Sequence, residues 1–211
     1  MIQIKTFIFN DFGVNTYILT DETGDCIIID PACNDRKEEK TLSNYIAQQQ
    51  LKPVSFTNTH CHVDHIAGNY FIKQAYSINL ITHTKSVYLM EAAGALAGAI
   101  GFNLDKVIMP DKFVNQDDSI CFGNSELKVL YTPGHAEGSI CLYSKKDNFV
   151  ITGDVLFEGS IGRTDFPTGD YDTLIASIQN QLMVLPDDCK VYPGHGNPTT
   201  IGKEKRTNPF L

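Results

Sequence analysis

Three of the six histidines in this chain fall in one seven-residue stretch, Thr59-His60-Cys61-His62-Val63-Asp64-His65, directly after the apolar segment 54–57. Imidazole nitrogens and carboxylate oxygens are the usual ligands of zinc and of non-haem iron or manganese. His60 and His62 are two apart, so in extended chain both project to the same side. Asp64 and His65 follow where the chain turns into a helix, and so face a second point a few ångströms away. One short loop can therefore offer two ligands to each of two ions. The bland reading is a solvated cluster with Asp64 as a helix cap, but the H-x-H-x-D-H spacing behind a buried strand favours metal.

Three further candidates sit in tight turns at strand ends. They are His135 in Thr132-Pro133-Gly134-His135, Asp154 in Thr152-Gly153-Asp154, and His195 in Tyr192-Pro193-Gly194-His195-Gly196. A glycine before a ligand lets the backbone turn sharply and bring a short side chain to an ion. Singly, each reads as well as a turn residue or a cap as it does as a ligand. Taken with the cluster, they suggest one multi-ligand site. His83 lacks such a setting and reads as structural or as a pocket wall.

Composition narrows the task of such a site. The chain has 211 residues, enough for one ordinary domain with a sizeable core. Lys plus Arg is 17 against 25 for Asp plus Glu, a formal net charge of -8. That surface repels phosphate backbones and anionic headgroups, which argues against nucleic-acid or membrane binding and for a small-molecule substrate. No apolar run approaches the roughly 20 residues of a membrane-spanning helix. The start, MIQIKTFIFNDFG, alternates like a strand and lacks the features of a secretory signal, so the cytoplasm is the expected location. The six cysteines are scattered without a C-x-x-C and read as mostly buried thiols, Cys61 being the one to watch.

The coarse pattern predicts strands at 2–9, 15–19 and 26–30, a helix at 36–50, a strand at 54–57, a helix at 66–75, a strand at 78–82 and a helix at 84–100. The second half predicts strands at 119–122, 127–132, 139–143 and 149–152, a Gly-rich loop at 158–169, a helix at 171–185 and a strand at 190–192. Strand-rich then helical stretches recur in both halves. Two mixed sheets packed face to face with helices outside would satisfy that order. A doubly wound parallel sheet fits the hairpin-like strand clusters less well.

The ordered set HCHVDH, TPGH, TGD and PGH resembles the metallo-β-lactamase superfamily, and within it the short, single-domain, glyoxalase II-like branch. The resemblance runs from Asp30-Pro31 to the segment His195-Gly196-Asn197-Pro198-Thr199-Thr200. It implies an α/β fold, a four-layer αββα sandwich of two mixed β-sheets, over a single domain 1–211. With 16 residues after His195, that domain would lack the helical C-terminal extension of glyoxalase II. Carried over by position, His60, His62 and His135 would hold one divalent ion, Asp64, His65 and His195 a second, and Asp154 would bridge. Zinc is the first expectation, with iron or manganese as alternatives. Asp64 and Asp154 would orient a metal-bridging hydroxide that cleaves a thioester or ester, with a hydroxyacylglutathione-type thioester as the named substrate. The Asp64-His65 pair departs from the zinc β-lactamases themselves, which disfavours antibiotic hydrolysis.

The same resemblance places Asp30 behind a ligand histidine. Gly162-Arg163-Thr164-Asp165 matches a signature of short glyoxalase-like members, with Arg163 and Asp165 as an ion pair under the site or Arg163 as a partner of a substrate carboxylate. Phe157, Phe166 and Tyr171 are either pocket walls or core. A mononuclear iron persulfide dioxygenase, using His60 (or His62), His135 and Asp154, is the alternative from a different reaction class. A structural zinc module is the third reading, and a Cys-free set of His and Asp ligands fits it poorly. The oligomeric state stays open between monomer and homodimer.

Overall fold

The structure, a computed structural model, describes residues 1–211 apart from Asn103 and Asp105. The first half lays down β1 (Gln3–Phe9), β2 (Val14–Thr20), β3 (Asp25–Ile29), α1 (Arg36–Gln48), β4 (Lys52–Thr57), α2 (Val63–Ile66), α3 (Asn69–Tyr76), β5 (Asn79–His83), α4 (Val87–Ala99) and β6 (Lys112–Val114). Its six strands form one sheet in chain order, antiparallel from β1 to β3 and parallel from β3 to β6. The second half adds β7 (Ser119–Phe122), β8 (Ser125–Tyr131), β9 (Ile140–Ser144), β10 (Phe149–Gly153), β11 (Leu156–Phe157), β12 (Ser160–Ile161), α5 (Tyr171–Ser177), β13 (Lys190–Pro193), β14 (Thr199–Thr200) and α6 (Ile201–Thr207). A second six-stranded sheet runs β14-β13-β10-β9-β8-β7, while β11 and β12 form a separate hairpin.

Side chains alternate across a strand, and here both faces of each sheet are covered. From β3, Cys26 and Ile28 face Leu42 and Ile46 of α1, Ile72 of α3 and Met90 of α4. Ile27 and Ile29 point the other way, into the space between the sheets, with Leu127, Val129, Leu142 and Ile151. On the far side of the second sheet, Cys141, Val150 and Val191 pack with Leu174 of α5 and Ile201 of α6. This is the expected αββα sandwich. Two-sided burial also explains why β3 reads as an unbroken apolar run. Each such side chain contributes about 1.5–3 kcal/mol by leaving water.

Several local expectations need correction. The helix expected at 66–75 is two, α2 and α3, broken at Gly68. The Gly68 N–H donates to the Pro31 carbonyl at 2.8 Å, and a Cβ there would press into Cys33 Sγ. The helix expected at 171–185 changes after α5 into a π-helical turn over Ile178–Leu182. The Gly-rich loop at 158–169 contains part of the β11–β12 hairpin. Two- and three-residue strands such as β6 and β14 are too short to carry a periodicity, so neither was expected. Cys61 is buried, and burial pushes its thiol up to about 12, which makes it inert; the exposed cysteine is Cys121.

The sheet topology places the candidate ligands. β9 is antiparallel to both β8 and β10, and β13 is parallel to β10. So β8, β10 and β13 all run the same way, and the segments after them, with His135, Asp154 and His195, emerge at one edge. The first sheet meets them there. Asn15 N donates to the Gly194 carbonyl at 2.7 Å, and Ile140 N to the Thr59 carbonyl at 2.8 Å. Among the described residues no helix is long and apolar enough to cross a membrane.

Candidate metal centre

Seven side chains from four loops converge at that edge. His135 Nε2 lies 3.3 Å from His60 Nε2 and 2.9 Å from His62 Nδ1. His65 Nε2 and His195 Nε2 are 3.3 Å apart, and each lies close to Asp64 Oδ2, at 3.7 and 3.5 Å. Asp154 stands between the groups: its Oδ1 is 3.4 Å from His65 Nε2, and its Oδ2 is 3.4 Å from His195 Nε2 and 3.7 Å from His135 Nε2. The donor atoms of His60, His62 and His135 all lie within 4.8 Å of one another, as do those of Asp64, His65 and His195. His60, His65 and Asp154 form a third such group.

Four of the five imidazoles are oriented through their other nitrogen. His65 Nδ1 donates to Asp30 Oδ2 at 3.1 Å, His135 Nδ1 to the Arg163 carbonyl at 2.8 Å, and His195 Nδ1 to the Phe12 carbonyl at 3.0 Å. Thr59 Oγ1 gives its proton to Asp30 Oδ2 at 2.7 Å, which leaves it as acceptor for His60 Nδ1 at 3.2 Å. With those protons on Nδ1, the Nε2 lone pairs turn toward one another. Lone pairs about 3 Å apart repel unless a cation or a proton lies between them, so the donor set fits metal.

The charges agree. Burial, with neighbouring imidazoles, holds His60, His62 and His135 below the usual histidine range, His62 at about 3, in the neutral form that coordinates metals. Burial alone would raise Asp154 and Asp64, but the histidines, His65 first, keep both low and ionised. Burial opposes charge on His65 and His195 too, yet nearby carboxylates push both up, His195 to about 9. Asp30, Asp64 and Asp154 thus create a demand for positive charge around His65.

Two further details point the same way. Among the described residues Asp154 Oδ1 is buried with no hydrogen-bond partner, His65 Nε2 being its ion-pair neighbour at 3.4 Å, a costly state for a carboxylate oxygen. A Cβ at Gly194 would overlap that oxygen and come within 2.8 Å of the His65 ring, so only glycine lets the His195 loop approach so closely.

Asp30 lies behind the cluster, fully buried, and also accepts the Thr59 N–H at 2.7 Å. The Arg163–Asp165 pair forms, with contacts of 2.9 and 2.8 Å, but at the surface rather than beneath the ligands. It is the Arg163 backbone that reaches His135, while its guanidinium stacks 4.5 Å from the Phe166 ring centroid. Phe166 lies edge-on to His62 at 5.0 Å and Phe157 flanks His195 at 6.3 Å, whereas Tyr171 is exposed. His83 stacks on Tyr131, away from the cluster. Sequence reasoning missed Asn15 and Tyr17, whose side chains donate to the Pro193 carbonyl and steady the His195 loop. Their one signal is polar atoms inside the apolar β2 strand.

Known proteins carry the same architecture. Residues 9–195 match the Metallo-beta-lactamase superfamily. The chain is 37% identical over 202 residues to the hydroxyacylglutathione hydrolase GloC of Haemophilus influenzae, spanning 95% of this chain and 93% of that one. The B3 metallo-beta-lactamase BLEG-1 superposes with a TM-score of 0.89 at 32% identity over 99% of both chains. TTHA1623, solved in a di-iron-bound form, superposes with a TM-score of 0.88 at 32% identity over 98% of this chain and 100% of that one. With nearly the whole length matched and the two-sheet sandwich in place, the chain belongs to the metallo-beta-lactamase superfamily.

Proposed function

We propose that the protein is a metal-dependent hydrolase acting on a thioester or ester, with a hydroxyacylglutathione-type thioester as the first candidate. His60, His62 and His135 would hold one divalent ion, and Asp64, His65 and His195 a second, with Asp154 shared between them. Zinc is the expected metal, and iron or manganese suits the same donors. The observation that carries this reading is the pair of three-donor groups at one sheet edge, beside a buried Asp154 oxygen with no hydrogen-bond partner among the described residues. The hydroxyacylglutathione hydrolase named among the relatives supports the substrate class.

Ions bound there would supply Lewis acidity toward the substrate carbonyl and a lowered pKa for water. The chain's own groups do the rest. Asp64 and Asp154, held as carboxylates, accept hydrogen bonds only, and so orient an attacking water between them. The Nδ1 bonds to Asp30, Arg163, Phe12 and Thr59 keep the imidazoles from turning. Phe157 and Phe166 present apolar edges beside the ligands and limit access of bulk water.

Elemental analysis of protein purified without added metal is the first test, followed by turnover assays on S-lactoylglutathione, a simple ester and a β-lactam. About two ions per chain with thioester turnover fits the proposal. About one iron per chain, with oxygen uptake on glutathione persulfide, would replace it with the dioxygenase. Preferential turnover of the β-lactam would replace it with a lactamase.

A further inference from the structure

We propose that Glu204, which lies outside the ligand cluster, is a positioning residue for it. The glutamate holds the tip of the β11–β12 hairpin and so sets the Arg163 carbonyl against His135. This rests on the metal reading above and on nothing about the substrate.

Glu204 sits on α6 and is fully buried. Its Oε2 accepts from Gly159 N at 2.8 Å and from Asn208 Nδ2 at 2.9 Å, and its Oε1 accepts from Thr199 Oγ1 at 2.6 Å. A buried carboxylate is costly unless its lone pairs are met, and what it offers over an apolar side chain of similar size is direction. Here one directed bond goes to the hairpin tip, where Gly159 adopts a φ of +69°. Asn208 Nδ2 also donates to the Ser160 carbonyl at 3.1 Å, so α6 grips the turn at two successive residues. The Lys203–Glu158 ion pair beside it is exposed and adds little.

Both ends of this hairpin enter the metal centre. It begins just after Asp154 and ends just before Gly162 and Arg163. Gly162 packs on the Asp154 backbone so tightly that a Cβ would overlap the carbonyl, and that Cβ would stand 3.1 Å from His135 Nδ1. The next residue supplies the carbonyl that takes the His135 Nδ1 proton. Strands of two residues have little stability of their own, so what grips the tip sets the geometry of the ends.

The test is zinc affinity by competition with a chromophoric chelator, measured alongside thermal unfolding and the His135 Nδ1 proton resonance. Glu204→Met keeps about the size but carries no acceptor oxygen, so Gly159 N, Asn208 Nδ2 and Thr199 Oγ1 all lose their partner on this side chain. The expected result is zinc binding weakened about ten- to a hundredfold, the usual cost of disturbing a group that orients a ligand, with loss or broadening of the His135 signal. Ile46→Ala, in the core beneath α1, serves as a variant destabilised away from the hairpin and should bind zinc within about twofold of wild type. Unchanged zinc affinity in Glu204→Met, or an equal loss in Ile46→Ala, overturns the proposal. Should Glu204→Met fail to fold, Asn208→Ala, which removes the Nδ2 bond to the Ser160 carbonyl at the tip and the one to Glu204 Oε2, is judged by the same criteria. A wild-type chain that binds no zinc, iron or manganese overturns the metal reading and this one with it. Normal wild-type binding with an unaffected variant overturns the role of Glu204 alone.

Discussion

His135 gives its Nδ1 proton to the backbone carbonyl of Arg163 at 2.8 Å, while the Arg163 side chain points outward into an exposed fork with Asp165. Backbone and side chain of one residue therefore do separate jobs. Arg163→Gln should leave metal content unchanged and shift stability by no more than about 0.5 kcal/mol, since exposed ion pairs contribute little. If the guanidinium meets a substrate carboxylate, kcat/KM for carboxylate-bearing thioesters falls about tenfold and that for neutral ones does not. Elemental analysis, urea unfolding and kinetics on a matched substrate pair check this. A loss of metal would contradict the backbone assignment.

Asp30 supports both ends of the ligand loop at once, taking the Thr59 N–H and hydroxyl as well as His65 Nδ1. Asp30→Ala leaves all three donors unmet in a fully buried place. Stability should drop by about 3 kcal/mol, and metal affinity about ten- to a hundredfold. Urea unfolding of metal-free protein separates the first effect from the second, which chelator competition reads.

Gly194→Ala places a methyl group where the Asp154 carboxylate lies. The methyl can be accommodated only if the His195 loop or Asp154 moves, so one ion should be lost or bound far more weakly while the sandwich still forms. Circular dichroism with metal analysis tests this, and full occupancy in the variant would show the approach to be looser than the structure has it.

Asp21 joins the β2–β3 turn to the β7–β8 turn, accepting from Thr23 N and Oγ1, Asn124 N and Ser125 Oγ. Burial alone would raise its carboxyl, but these donors hold it near 2, below the ordinary 3.8. A depressed folded-state value means stability present above about pH 4 and lost as pH falls toward 2. Asp21→Asn should therefore unfold at a lower temperature than wild type at pH 7, with the gap closing between pH 4 and pH 2. A gap independent of pH would mean that the carboxylate charge is not what these donors stabilise.

Cys121 is the exposed thiol, and the other five cysteines are buried. A disulfide reagent should label about one thiol per native chain and all six after denaturation. Rapid labelling of Cys61 in the native protein would mean that the ligand loop opens.

The candidate ligand residues were legible because metal-binding chemistry leaves a dense local signature. His60, His62, Asp64 and His65 are nearly consecutive, and His135, Asp154 and His195 each stand beside a glycine in a turn. The sandwich was legible from the strand-rich then helical order that recurs in both halves, and from the family resemblance carried by the histidine motifs. The ligand supports were mostly hidden. Nothing near His135 announces that Arg163 acts through its carbonyl, because any residue has one. The buried Glu204 looks, in Lys203-Glu204-Lys205-Arg206, like part of a solvated charged helix. Asn15, Tyr17 and Phe12 touch the His195 loop only because the two sheets pack face to face. Local pattern marked which side chains are candidate ligands and which stretches are strands. Tertiary packing alone decided which backbone carbonyls and buried polar groups aim those side chains, because these contacts join residues from 28 to 183 positions apart through space rather than through any periodicity of the chain.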